Sequence, residues 1–231
     1  MDLLLYRNVD TSDPHENIEY IGFIDQDGLI HCSSEHHDLF HPVNLYLQGD
    51  FIKRYRYSVH IVRINNRLLI EKNYNGNVLS FYNEIFILSK LKDLEFIPKV
   101  SFISYKRKTV YLDYINGAVL REQLASLGAN IRDVDLIEES RSFEQKAKSA
   151  RIYLRDALSE QGIKQIKECY KAIHARKIIV NDIKYGNIIM CGERPFLIDF
   201  EASIYFPELP GFLFRRLAEI DKNKIKTLFH V

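Results

Sequence analysis

Apolar and polar residues alternate along the first half of the chain and recur every three to four positions along much of the second, so a stranded region precedes a helical one. Tyr20-Ile21-Gly22-Phe23-Ile24, an Asp27-Gly28 turn and Leu29-Ile30-His31-Cys32 predict a hairpin. Tyr57 to Ile64 and Arg67 to Tyr74 flank Asn65-Asn66 and predict a second one. In it Leu68, Ile70 and Lys72 share one face while Leu69, Glu71 and Asn73 share the other, which sets Lys72 on the side of two apolar residues. Val78, Tyr82, Ile85, Phe86, Leu88 and Lys92 then follow helical spacing, from an opening near Asn75-Gly76-Asn77 to a stop before Pro98. Lys99 to Tyr105 and Thr109 to Ile115 form another strand pair around Lys106-Arg107-Lys108. Asn116-Gly117 ends it, and Val119 to Leu127 turns helical.

Charged residues 130 to 142 read as a surface connection. Phe143 to Leu158 and then Ile163, Ile166, Tyr170 and Ile173 carry helical periodicity as far as His174. Ile178-Ile179-Val180, Asn187 to Cys191 and Phe196-Leu197-Ile198 are short β-rich runs, the last two joined by Gly192-Glu193-Arg194-Pro195. A final helix is expected near Phe212 to Phe229. The fold class predicted is α+β, an antiparallel sheet with one helix followed by a mainly helical region. With 46% hydrophobic residues among 231, the chain can fill one or two packed units.

Composition narrows the function. Lys plus Arg number 32 against 31 for Asp plus Glu, a net charge of +1, so no long-range field gathers nucleic acid or membrane and no nucleic-acid partner is expected. Phosphate chemistry would have to come from a local site. Cys32, Cys169 and Cys191 stand far apart, which speaks against a disulfide scaffold and suits a cytoplasmic location. No segment approaches the roughly 18 apolar residues of a membrane span, and Leu3-Leu4-Leu5 is too short for a signal peptide, leaving peripheral membrane work open.

The stretch from Ile173 to Glu201 carries the chemistry. Asp182, Lys184 and Asn187 stand at D-x-K-x-x-N intervals, and Asp199-Phe200 follows after a short predicted hairpin. This resembles the protein-kinase-like superfamily, whose catalytic loop reads H-R-D-x-K-x-x-N and whose metal-binding segment reads D-F-G. Leu69-Ile70-Glu71-Lys72 looks like the third-strand lysine motif of that superfamily, Glu84 lies on the following helix, and Tyr111 to Gly117 looks like its hinge. The resemblance covers about residues 45 to 215. It implies a two-lobed protein-kinase-like fold: an N-terminal extension over 1–44, an N-lobe over 45–115 and a truncated, minimal C-lobe over 116–231.

The same resemblance implies roles. Lys72, held by Glu84, would contact the α- and β-phosphates of ATP, and the hinge from Asp113 to Ile115 would meet the adenine edge. Asp199 and Asn187 would ligate Mg²⁺, which prefers hard oxygen donors. Asp182 would orient the acceptor hydroxyl and take its proton, and Lys184 would neutralise the γ-phosphate during transfer. No G-x-G-x-x-G loop and no P-loop exist, so Gly49, with Lys53 and Arg54, is the candidate cover for the phosphates.

Departures from the pattern shape the expected substrate. Val180-Asn181 replaces His-Arg, removing the arginine that reads a phosphorylated activation loop. D-F-G has become D-F-E at Glu201, as in small bacterial lipopolysaccharide kinases, and only 30 residues follow. The leading acceptor is Ser or Thr of a protein, because Lys184 matches the serine/threonine-kinase loop. A lipopolysaccharide or glycan hydroxyl is the alternative, and a nucleotide-binding pseudokinase is a third reading. His31, Cys32, His36, His37 and His41 crowd eleven residues without a structural-zinc spacing. Lys53-Arg54-Tyr55-Arg56-Tyr57 interleaves charge with aromatics, and Arg215-Arg216 lies on the last helix as a solvated pair or a contact for an anionic acceptor.

Overall fold

The computed structural model describes residues 18–24, 30–32, 34–39, 58–129 and 152–229, and it is a mixed α+β protein with an antiparallel sheet. The chain divides into two units, Met1–Asn116 and Gly117–Val231. Gly49, Lys53, Arg54 and His41 lie outside the described residues, as does the 130–142 connection.

In the first unit six strands form one sheet in the order β2-β1-β3-β4-β6-β5. They are β1 (Glu19–Ile24), β2 (Ile30–Cys32), β3 (Ser58–Ile64), β4 (Arg67–Asn73), β5 (Val100–Ser104) and β6 (Thr109–Asp113). Each neighbouring pair is antiparallel. Asn65 and Asn66 have φ of 49° and 61°, as a two-residue hairpin turn requires of both central positions, and Asn tolerates that region. The turn sets the β3–β4 register at Ile64↔Arg67. β1 and β2 extend this sheet, with Phe23 opposite His60, so part of the segment read as an N-terminal extension belongs to the same layer as β3 and β4.

Both faces of the sheet carry apolar side chains, in keeping with the period of two. Ile21 and Ile61 pack with Leu68, Ile70, Cys32 and Tyr114, whereas Val62, Ile64, Leu69 and Tyr111 pack with Phe102. Helix α1 (Val78–Leu91) begins where Asn77 Oδ1 accepts the Ser80 N–H at 3.3 Å. Its buried side is Phe81, Glu84, Ile85, Ile87, Leu88 and Leu91. Val78, expected on that face, is 45% exposed, because the stripe begins one turn later at Phe81.

The second unit opens at Gly117, where a Cβ would lie 2.5 Å from the Met190 carbonyl oxygen; only glycine permits that approach. A three-stranded sheet in the order β10-β9-β7 follows, made of β7 (Ala118–Val119), β9 (Ile188–Cys191) and β10 (Arg194–Leu197). Pro195 occupies the edge strand β10, where its missing N–H costs least. The helices are α2 (Leu120–Ser126), α3 (described over 152–157), α4 (Glu160–Ala175) and α5 (Gly211–Phe229). Ser159 caps α4 by accepting the Gly162 N–H at 3.0 Å. β8 (Ile178–Ile179) pairs with β11 (Ile204–Tyr205), and Ile179 packs on Phe214 and Ala218 of α5.

Candidate functional site

In the first unit β4 delivers Lys72 to a position only 5% exposed, its Nζ 2.7 Å from Glu84 Oε2. Glu84 falls between Phe81 and Leu88 on the buried stripe of α1. A buried ion pair of this kind needs further hydrogen bonds to offset desolvation. Tyr74 provides one: its hydroxyl donates to the same Glu84 oxygen, and Lys72 Nζ lies 5.2 Å from the centre of its ring. Tyr74 was not among the residues the sequence singled out. Its signal is the strand period, two positions beyond Lys72.

The segment read as a hinge is more committed than its sequence suggests. Asp113 N–H donates to the Lys99 carbonyl at 2.9 Å and Tyr114 N–H to that of Leu68 at 3.4 Å, so pairing continues past the end of β6. The Asp113 carboxylate accepts from Arg67 Nη2 at 2.8 Å and Ser101 Oγ at 2.7 Å, which ties β4, β5 and β6 together. Ile115, half-buried, follows directly.

In the second unit the residues at D-x-K-x-x-N spacing come together. Asp182 Oδ2 lies 2.8 Å from Lys184 Nζ and accepts from Asn187 Nδ2 at 3.1 Å, while the same amide nitrogen donates to the Asp182 carbonyl at 2.9 Å. Asn187 is buried, held in a 3₁₀ turn (Tyr185–Asn187), and Tyr185 beneath it donates its hydroxyl to the Leu228 carbonyl at 2.7 Å. One amide thus orients the aspartate from both its backbone and its side chain.

The backbone leading to Asp182 is strained. Asn181 has φ of 68° and Asp182 N–H donates to the Val180 carbonyl at 2.8 Å, a three-residue turn of the costly positive-φ kind. Several groups over-determine it. Asp221 of α5, fully buried, accepts the Val180 N–H at 2.7 Å and the Asn181 N–H at 3.2 Å. Lys224 Nζ donates to the Asn181 carbonyl at 2.6 Å, and Asn181 Nδ2 donates to that of Ala202 at 3.2 Å. Ser203 Oγ donates to the Val180 carbonyl at 3.1 Å. Asp221 and Lys224 were missed by sequence reasoning; the visible signal was an acid as the third member of the stripe Phe214, Ala218, Asp221, Ile225.

Asp199 also has a left-handed φ, 66°, followed by buried Phe200 and then Glu201. Asp199 and Glu201 present carboxylate oxygens within 4.8 Å of one another. Two carboxylates this close favour a cation between them, and with the Asn187 amide the donors are all hard oxygens of the type Mg²⁺ takes.

The His31 ring stacks on Phe23 at 4.6 Å, and Cys32 packs with Ile21 and Ile61, where burial pushes its thiol up. No helix among the described residues is long and apolar enough to cross a membrane. No protein-family model matches the chain, and a search of curated proteins returns no match.

Proposed function

We propose that the protein is an ATP-dependent phosphotransferase that moves the γ-phosphoryl group of Mg-ATP to a hydroxyl. The observation that carries this reading is the Asp182–Lys184–Asn187 triangle, in which one carboxylate is oriented by an amide and paired with an ammonium. Phosphoryl transfer asks little covalent chemistry of a protein and much positioning and charge neutralisation. Asp182 holds the acceptor hydroxyl and takes its proton as the bond to phosphorus forms. Lys184 stands 2.8 Å from that carboxylate, close enough to exchange it for the oxygens of the transferred group. Lys72, fixed by Glu84 and Tyr74, anchors the remaining phosphates. Asn187, Asp199 and Glu201 would hold Mg²⁺, which supplies neutralisation of phosphate charge when bound.

For the acceptor, Lys184 two positions after Asp182 supports Ser or Thr of a protein. A glycan hydroxyl is the second reading, supported by Glu201 where the superfamily has glycine. The test is transfer of labelled γ-phosphate from Mg-ATP by the purified full chain, comparing wild type with Asp182→Ala and Asp199→Ala. Loss of transfer in both variants is expected. A protein fraction that takes up label supports the first acceptor, and a saccharide fraction the second. Nucleotide binding with no turnover above the two variants overturns the enzyme reading in favour of a pseudokinase.

A further inference from the structure

Helix α5 buries one face and leaves a second apolar face in solvent. Phe214, Ala218, Ile225, Leu228 and Phe229 pack inward, whereas Phe212 and Ile220 are 62% and 55% exposed and Leu213 and Leu217 lie beside them, also exposed. At about 100° per residue these four span an arc of about 140° that also holds Arg216 and whose Leu217 edge adjoins the buried stripe. A monomer gains nothing by keeping Phe, Leu and Ile on the outside of a helix whose core side is already satisfied.

The charges around this face are one-sided. Arg215, Arg216, Lys222 and Lys226 are exposed on α5, while Glu219 is its only exposed carboxylate and pairs with Lys222 at 2.6 Å. Asp221, the other acid of the helix, is fully buried against the catalytic loop. In a chain of net charge +1, positive charge thus gathers on a helix that also exposes apolar side chains.

We infer that this face of α5 docks on an anionic lipid bilayer, with Phe212, Leu213, Leu217 and Ile220 entering the acyl boundary and Arg215, Arg216 and Lys226 meeting the phosphates. Apolar residues bordered by Arg215 and Lys226, with Arg216 among them able to extend its guanidinium to the headgroups, are the pattern of an interfacial helix that lies on a membrane without crossing it. Charge argues against a second copy of the chain as the occupant: a twofold contact through this face would gather both copies of Arg215, Arg216 and Lys226 in one interface with Glu219 as the exposed acid of each helix. The same helix holds the Val180–Asn181 backbone, next to Asp182, through Asp221 and Lys224. The inference does not depend on the phosphotransfer reading.

The test is co-sedimentation of the full chain with extruded vesicles of phosphatidylcholine alone and of phosphatidylcholine with about 30 mol% phosphatidylglycerol. Binding to the anionic vesicles is expected to exceed binding to the neutral ones by about tenfold and to weaken as salt rises from about 0.1 to about 0.5 M. Phe212→Ser/Ile220→Ser and, separately, Arg215→Glu/Arg216→Glu should each lower it by about tenfold or more. The charge-reversal pair touches only exposed side chains, so it remains informative if the serine pair fails to fold. Equal pelleting of wild type and the charge-reversal variant overturns the inference. So does a wild-type dimer, absent in Phe212→Ser/Ile220→Ser, that ignores vesicles.

Discussion

Asp221 Oδ2 accepts from the Val180 N–H at 2.7 Å and faces His174 Nε2 at 2.9 Å, so one carboxylate joins α4, α5 and the loop that ends in Asp182. Asp221→Ala would strand the Val180 and Asn181 N–H groups and the His174 ring nitrogen in a buried place. A loss of about 2–4 kcal/mol is expected, read as a fall in the urea midpoint. A midpoint within about 0.5 kcal/mol of wild type would show that the loop stands without this anchor.

Lys72 and Glu84 offer a way to part stability from activity. Lys72→Ala leaves a buried carboxylate without its cation and should cost about 3–5 kcal/mol. Replacing both, Lys72→Met with Glu84→Leu, should recover most of that in denaturation while phosphotransfer stays lost. Recovered transfer in the double variant would remove Lys72 from the phosphate-binding role.

Asp182→Asn keeps the size of the side chain but cannot take a proton. Transfer should fall by about 100-fold or more with little change in thermal midpoint. Asn187→Ala removes the amide that holds the Asp182 carboxylate and should lower the rate as well, while a rise in the Mg²⁺ concentration needed for half-maximal rate is the sign that it also ligates the ion.

Asn181 ties its side chain to the Ala202 carbonyl, so the loop and the segment after Asp199 are joined without a phosphate group. Phosphatase treatment should leave activity unchanged, and a strong loss would contradict this. At φ of 68° a β-branched residue is costly, so Asn181→Val should destabilise by about 2 kcal/mol where Asn181→Gly changes little, as measured by thermal unfolding.

Burial pushes the Cys169 thiol up to about 12, and it pushes the Tyr170 phenol up further, with the Asp221 charge adding to it. In the unfolded chain these groups ionise near about 8.5 and about 10. Above that range the unfolded state binds fewer protons than the folded one, so stability is complete below about pH 8.5 and declines as pH rises toward 12. Urea midpoints at neutral pH and near pH 10 check the direction. A thiol reagent at neutral pH should label exposed Cys191 well before buried Cys169, and equal rates would show that the α4 core opens.

Features that rest on local chemistry were readable along the chain. The side of β4 that carries Lys72 follows from a period of two, and the β3–β4 turn follows from the left-handed tolerance of Asn65 and Asn66. The D-x-K-x-x-N interval marked Asp182, Lys184 and Asn187 as one group, and their side chains lie in contact. Features that rest on distant contacts were not readable. Nothing near Asp221 announces that it meets residues 40 positions earlier, and Tyr74 gains meaning only once α1 folds over Lys72. The α1 stripe was misjudged at Val78 because an N-terminal turn satisfies the same spacing whether or not a neighbour covers it. Asp113 took on a structural duty that depends on Arg67 and Ser101, both outside its own strand.

Glu71 and Lys72 are consecutive residues of opposite sign on opposite faces of β4, each buried. Glu71 lies toward Arg107 and Lys72 toward Glu84. A slip of β4 by one residue would turn Glu71 to the carboxylate of α1 and Lys72 to the guanidinium on the far side, two repulsive meetings away from water. The order of two adjacent charges therefore acts as a checksum on strand pairing: a misaligned sheet carries an electrostatic penalty on both of its faces.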